Sequence, residues 1–260
     1  MSGWQTGLWA GVVLAAAGCG GGGTGVRWVE VPVHETRLGG AEWREAGGYE
    51  LAETETTVEQ WARYLNASGA DWEENGQLVR GQGGKWRARE GKGREPVSGV
   101  TWGEAKAWCE WAGRVEGRRV RLPTGDEWEA GARGGADGAV YPWGWRGPKE
   151  GEARWGGSGG VWAAGTGAAN GWGLPDMAGN VAEWCDDGRG GERQIRGGAW
   201  TDREASGLGC AVVRWQRAEA RAGDVGFRAL REGNQPQRGM EGGAEVQSFW
   251  KSTKEQKGQN

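Results

Sequence analysis

The side chains able to do chemistry are few and unevenly placed. One histidine, His34, stands near the start, and the cysteines are Cys19, Cys109, Cys185 and Cys210. A lone imidazole cannot build a histidine-cluster metal centre, and no C-x-x-C spacing offers a zinc knuckle. A Ser-His-Asp triad would have only His34 as its base. His34 is therefore expected to be structural or incidental. No G-x-x-x-x-G-K-[ST] or G-x-S-x-G occurs, and no G-x-G-x-x-G follows a strand and opens a helix. The run Gly20–Gly23 has no helix start behind it and reads as a tether.

The carboxylates say more. Asp126, Glu127 and Glu129 fall within about one helical turn. Asp176, Glu183, Asp186 and Asp187 surround a tight Gly179-Asn180 corner. Hard oxygen ligands in such a corner suit Ca²⁺, although the spacing is not that of an EF-hand. The alternative is that Asn180 and Glu183 satisfy buried backbone groups in a loop-rich fold. Cys109 sits on the apolar side of an expected helix and reads as a small buried hydrophobe. In an oxidising compartment, two of Cys109, Cys185 and Cys210 could pair and leave one over.

The elements that must hold these groups are short. The chain has 260 residues, with 55 Gly, 20 Trp and 37% hydrophobic content, so indole rings must supply much of one core. A net charge of −3 leaves no electrostatic footprint for nucleic acid. Residues 1–25 contain an apolar run, Leu8–Ala17, followed by Ala16-Ala17-Gly18-Cys19 and glycines. That pattern predicts an export signal with Cys19 as the lipidated N-terminus, although its start lacks Lys and Arg. Residues 231–260 are polar and are expected to form a mobile tail, with one local helix near Glu245–Thr253. Residues 26–230 remain as one folded unit.

Three helices are predicted there. Thr57 with Gln60, Thr101 with Glu104 and Thr124 with Glu127 each spell a capping box. Val58, Trp61, Ala62 and Leu65 form the first apolar face. Trp102, Ala105, Trp108, Cys109 and Ala112 form the second, with Gly113 as its stop; Trp128 and Ala132 point inward from the third, before Gly134-Gly135. Strands are expected at Arg27–Val31, Gln194–Arg196, Ala211–Trp215 and Val225–Leu230. Few helices, short strands and glycine-rich turns make an α+β domain with much irregular loop.

Several segments carry a resemblance. EPVSGVTW at 95–102, EAKAWCEWAG at 104–113, RLPTGDEWEAGARGG at 121–135, YPWG at 141–144, NGWGLPDMAGNVAEWCDD at 170–187, RQIRGGAW at 193–200 and VGFRAL at 225–230 follow one another in order. Together with GGYELAETETTVEQWARYLNASG they resemble the formylglycine-generating-enzyme, or sulfatase-modifying-factor, family over roughly 26–230. The resemblance implies an elaborated C-type-lectin-like α+β fold. Trp172 and several other positions hold Trp where the family commonly has Phe or Tyr, so local repacking is expected.

Active members of that family bind copper between two cysteines just after the RGG-x-W segment, and use oxygen to turn a substrate cysteine into formylglycine. Those positions fall at about Asp202 and Gly207 here, and Cys210 is one thiol at a shifted place. An oxidase would need Cys210 with Cys185 or Cys109, two sulfurs within about 4–5 Å at an open pocket. The iron-dependent branch that makes sulfur–carbon bonds needs several histidines from an additional helical domain and is excluded by one His. The resemblance thus points to non-catalytic members, such as accessory lipoproteins or the variable proteins of diversity-generating retroelements. The latter display a mutable face between the RGG-x-W and GFR segments, residues 201–224 here. The expected binding face is Arg203, Glu204, Arg214, Trp215, Gln216 and Arg217. No catalytic cofactor is expected; a structural Ca²⁺ would involve Asn180 and Glu183. The expected partner is a protein or other surface ligand and not nucleic acid. The protein is expected to be a monomer, attached to a bacterial envelope only through Cys19. A cytoplasmic location is the alternative.

Overall fold

The computed structural model describes residues 23–39 and 42–233. The leader up to residue 22 with Cys19, residues 234–260 of the expected tail and the helix expected at Glu245–Thr253 lie outside the described residues, whereas Arg231 and Glu232, expected in that tail, belong to the last strand. In chain order the first strands are β1 (Trp28–Val31), β2 (His34–Leu38), β3 (Glu42–Ala46) and β4 (Tyr49–Ala52), followed by helix α1 (Val58–Ser68). Then come β5 (Leu78–Arg80), β6 (Trp86–Ala88), α2 (Trp102–Glu116), β7 (Val120–Arg121) and α3 (Gly125–Arg133). A long loop leads to β8 (Ala182–Arg189), β9 (Glu192–Arg196), β10 (Arg214–Arg217), β11 (Val225–Gly226) and β12 (Leu230–Glu232).

Each helix starts as its sequence dictates. Thr57, Thr101 and Thr124 are extended N-caps that accept from the N3 amide, while Gln60, Glu104 and Glu127 reach back to the cap. Glycines in the left-handed region at 69, 117 and 134 close them. Gly113 is not the stop expected for α2, which runs on to Glu116. A Cβ on Gly113 would lie 2.9 Å from the Arg118 carbonyl oxygen and 3.2 Å from the Val120 nitrogen. The glycine lets the chain fold back from α2 into β7, so its role is close approach rather than termination.

Two four-stranded sheets organise the rest, in orders β1-β4-β12-β7 and β10-β9-β8-β11. The hairpins β2–β3 and β5–β6 stand apart from them. The main core lies around α1 and α2, where Trp61, Trp108, Trp184 and Phe227 are fully buried. Trp61 and Trp108 meet Phe227 edge-on at 6.0 and 5.4 Å. A second core gathers around Trp128 of α3 with Leu51, Leu174, Met177, Cys185 and Cys210.

The single strand expected at Val225–Leu230 is two strands with a break. Arg228, wholly buried, leaves the ladder there to pair with Glu183 at 3.0 Å. The backbone on either side bonds to the 52–56 segment instead: Thr56 donates to the Phe227 carbonyl and Ala52 to that of Ala229. The strand expected at Ala211–Trp215 is displaced to Arg214–Arg217, and the hairpins β2–β3 and β5–β6 had no counterpart in the sequence reading. His34 is structural: its Nδ1 lies 2.8 Å from the Pro32 carbonyl and its ring meets Trp172 edge-on at 4.8 Å.

Candidate functional site

The segment after β9 begins with Gly197 and Gly198, both at positive φ. A Cβ at Gly198 would meet Leu208, the Gly207 carbonyl and Asp202 at 3.0 Å or less, so only glycine lets this turn fold against 202–208. Asp202 is fixed at the centre. Its Oδ2 accepts from the Ala199 amide at 2.7 Å and its Oδ1 from Arg214 at 2.9 Å. A Cβ on Gly207 would stand 3.5 Å from the Asp202 Cγ. Positions 202 and 207 therefore face each other, and a carboxylate paired to Arg214 fills the space between them.

A buried ion cluster supports this segment from below. The Glu129 carboxylate of α3 has no exposed surface and takes Arg133 at 2.6 Å and Arg196 at 3.4 Å. Arg133 also donates to the Ala139 carbonyl at 2.5 Å, and Arg196 to those of Cys210 and Val212 at 3.3 and 3.4 Å. Each donor in the cluster thus ties a loop to α3. The Cys210 amide further donates to the Val140 carbonyl at 2.8 Å, joining the loop around 140 to the segment.

The six residues expected to form one face are divided. Side chains alternate along a strand, so Trp215 and Arg217 project to one side of β10 and Arg214 and Gln216 to the other. Arg214 turns to Asp202. Trp215 is half-buried beneath Arg189, whose guanidinium lies 4.3 Å from the ring. Arg217 is exposed and pairs with Glu219 at 2.9 Å. Arg203 and Glu204 are exposed before a single 3-10 turn at Ala205–Leu208, with Arg203 packed beside Gly157.

Sequence reasoning missed the aromatic support next to this segment. Leu208 is buried with Ala153 and Ala178 beneath Tyr141, Trp143 and Trp155. The Tyr141 and Trp143 rings stack at 5.5 Å with 6° between their planes. Val140 and Val213 are exposed large hydrophobics on the two joined loops. The signal available was YPWG at 141–144, read only as a family marker.

The described thiols are enclosed in the cores. Cys109, Cys185 and Cys210 are free and buried. Burial pushes the Cys109 and Cys185 thiols well up, and that of Cys210 to about 12. Thiolates are the species that ligate copper, so these groups are neither accessible nor ionised at neutral pH. Cys109 lies in the main core and the other two in the second.

The corner expected to hold Ca²⁺ is buried and acidic. Asn180 Oδ1 accepts from the Trp162 amide at 2.9 Å, and its Nδ2 donates to Glu55 at 3.0 Å. Glu183 accepts from Arg228 at 3.0 Å and from the Trp128 indole at 2.6 Å. Asp176 accepts from the amides of Gly165 and Gly167 at 2.5 and 2.8 Å. Both side chains named for the ion thus have protein partners: Asn180 bonds a backbone amide and Glu55, and Glu183 bonds the side chains of Arg228 and Trp128. Yet Glu55, Asp176 and Glu183 bury three carboxylates around the one Arg228 guanidinium, and Glu55 Oε2 has no hydrogen-bond partner. Burial, then the Asp176 charge, pushes the Glu55 carboxyl well above the usual range. A carboxyl pushed up in that way holds its proton more readily, which lessens the negative charge in the corner. Among the described residues, no three His, Cys, Asp or Glu side chains converge as a metal-binding group.

Residues 22–233 match the model of the sulfatase-modifying factor enzyme 1-like domain. The chain belongs to that family. Within the family it is similar to the formylglycine-generating enzyme of Thermomonospora curvata, with 42% identity over 126 residues covering 40% of each chain. It is also similar to the inactive C-alpha-formylglycine-generating enzyme 2 of Bos taurus, with 38% identity over 143 residues covering 45% of this chain and 44% of the relative. The matches thus span less than half the length of these relatives. Among solved structures, the fold is that of Treponema denticola variable protein 1, with a TM-score of 0.63 at 22% identity, covering 79% of this chain and 94% of that one. The α+β architecture with short elements and much loop is that of this family.

Proposed function

We propose that the protein is a catalytically silent recognition domain that binds a protein or other surface ligand through the 201–217 segment. The observation that carries the reading is the Asp202–Arg214 pair facing Gly207, where an oxidase of this family needs two cysteines. With Cys109, Cys185 and Cys210 buried and protonated, the described residues offer no accessible thiol pair to hold copper. What the scaffold offers instead is a rigid display. The Glu129–Arg133–Arg196 cluster and the aromatic rings packed over Leu208 fix a segment bearing arginines and a half-buried tryptophan. Aromatic and Arg side chains on a fixed frame are the usual anchors of protein recognition. A diversified face of the retroelement type is the finer form of this proposal. Its contact residues would be Arg203, Glu204, Trp215 and Arg217, with Arg214 and Gln216 on the opposite side of β10.

The test is a pull-down from the native organism with wild type and Trp215→Ala. A ligand of this face should be retained by wild type and lose affinity about 30-fold, corresponding to about 2 kcal/mol, in the variant. Equal retention by both would remove Trp215 from the site.

A structural Ca²⁺ at the 176–187 corner belongs to the same proposal and is supported by the buried side-chain oxygens of Asp176, Asn180 and Glu183 there. An ion that binds only the folded state raises the melting temperature by mass action, by about 5–10 °C at 100-fold excess over Kd. Melts with Ca²⁺ and with chelator should differ on that scale, and Asn180→Ala should erase the difference. Identical melts would leave the corner as a hydrogen-bonded loop.

A further inference from the structure

A second concave site lies on the loop that follows α3, and the face described above does not use it. A cleft of about 430 Å³ is lined by Pro142, Trp143 and Trp145 on one segment and by Ala169, Asn170 and Gly171 on another, with Arg133 beside them. The aromatic segment is rigid. Tyr141 and Gly144 exchange amide-to-carbonyl bonds of 2.8 and 2.9 Å, which closes the turn on Pro142 and Trp143. The stack on Tyr141 holds Trp143, whose indole N–H donates to the Arg146 carbonyl at 3.1 Å. Trp145 is 66% exposed, and its indole N–H donates to no described residue.

The polar side chains of the cleft are turned away from a ligand. Arg133 is 4% exposed and directs its Nε, Nη1 and Nη2 at Glu129 and the Ala139 carbonyl. Asn170 donates to the carbonyls of Gly131 and Ala132 and accepts from the amides of Trp172 and Leu174. A charged ligand would be desolvated there without a counter-charge. A saccharide would bring many hydroxyls to a surface where the described side chains present one accessible, unpartnered donor, the Trp145 indole N–H. The complementary ligand is neutral, carries apolar rings, has no donors of its own to satisfy, and presents carbonyl acceptors.

We propose that this cleft binds a proline-rich segment in the polyproline II conformation. Proline rings pack against aromatic side chains and lack an N–H, and their carbonyls point outward to accept from an indole. The polyproline helix is also preformed, so little ordering entropy opposes its binding. Trp143 and Trp145 supply the apolar contacts, and the Trp145 N–H supplies the donor.

The probe is a capped decaproline peptide titrated calorimetrically into the full chain. Binding is expected, weakened at least about 10-fold by Trp145→Ala. Trp43→Ala should leave it unchanged, because Trp43 is also exposed, at 53%, but lies on β3. Trp215→Ala should leave it unchanged as well, which separates this site from the recognition face. The Trp145 indole resonance should shift on titration, a readout that needs no variant. No binding at millimolar peptide, equal affinity in Trp145→Ala, or tighter binding of a neutral maltohexaose than of decaproline would each overturn the proposal.

Discussion

Glu129→Ala is expected to destabilise the protein by about 3–5 kcal/mol, because it leaves two buried guanidinium groups without their carboxylate. The side chains of Arg133 and Arg196 are 5% and 4% exposed, so water cannot replace Glu129 for either. For a folded unit of this size the melting temperature should fall by on the order of 10 °C. The loss should extend to the recognition segment, since Arg196 carries the carbonyls of Cys210 and Val212. Urea denaturation measures the first effect and amide hydrogen exchange at 205–217 the second. A loss below about 1 kcal/mol, the range of an exposed ion pair, would show that the cluster does not act as a buried unit.

Asp202→Cys with Gly207→Cys is expected to give the largest chemical change. A sulfur at the Asp202 Cγ position would lie 3.5 Å from a Cβ at 207, close to the spacing a disulfide needs. Gly207 does not carry a positive φ, so a side chain meets no backbone strain there. The pair should close in air and reopen with reductant, and reduced protein should bind Cu(I), which wild type should not. Two persistently free thiols in the oxidised variant would mean that positions 202 and 207 do not face each other.

How far these features can be read from sequence depends on how local they are. The capping boxes at Thr57, Thr101 and Thr124 were legible because donor and acceptor are three residues apart. Gly113 was misread because the contact that demands it, the return of the chain into β7, is tertiary. The break after Gly226 was invisible for the same reason: Arg228 turns inward toward Glu183, a partner 45 residues away. The proposed face was read along the chain as a polar segment bearing Trp215. Its division between two sides of β10 follows from strand register, which the expected boundaries at Ala211–Trp215 had displaced. The Glu129–Arg133 pair has helical spacing and could have been found. Arg196, its other partner, comes from β9, and no local pattern announces it.

The central claim is that this scaffold is silent as an oxidase, and the most direct measurement is turnover. Purified wild-type protein is incubated with Cu(I), oxygen and a Cys-x-Pro-x-Arg peptide, and the peptide is followed by mass spectrometry. The Asp202–Arg214 pair and the buried thiols predict a peptide that keeps its thiol and gains no aldehyde beyond a protein-free control. Aldehyde formed by wild type and abolished by Cys210→Ser would contradict the account.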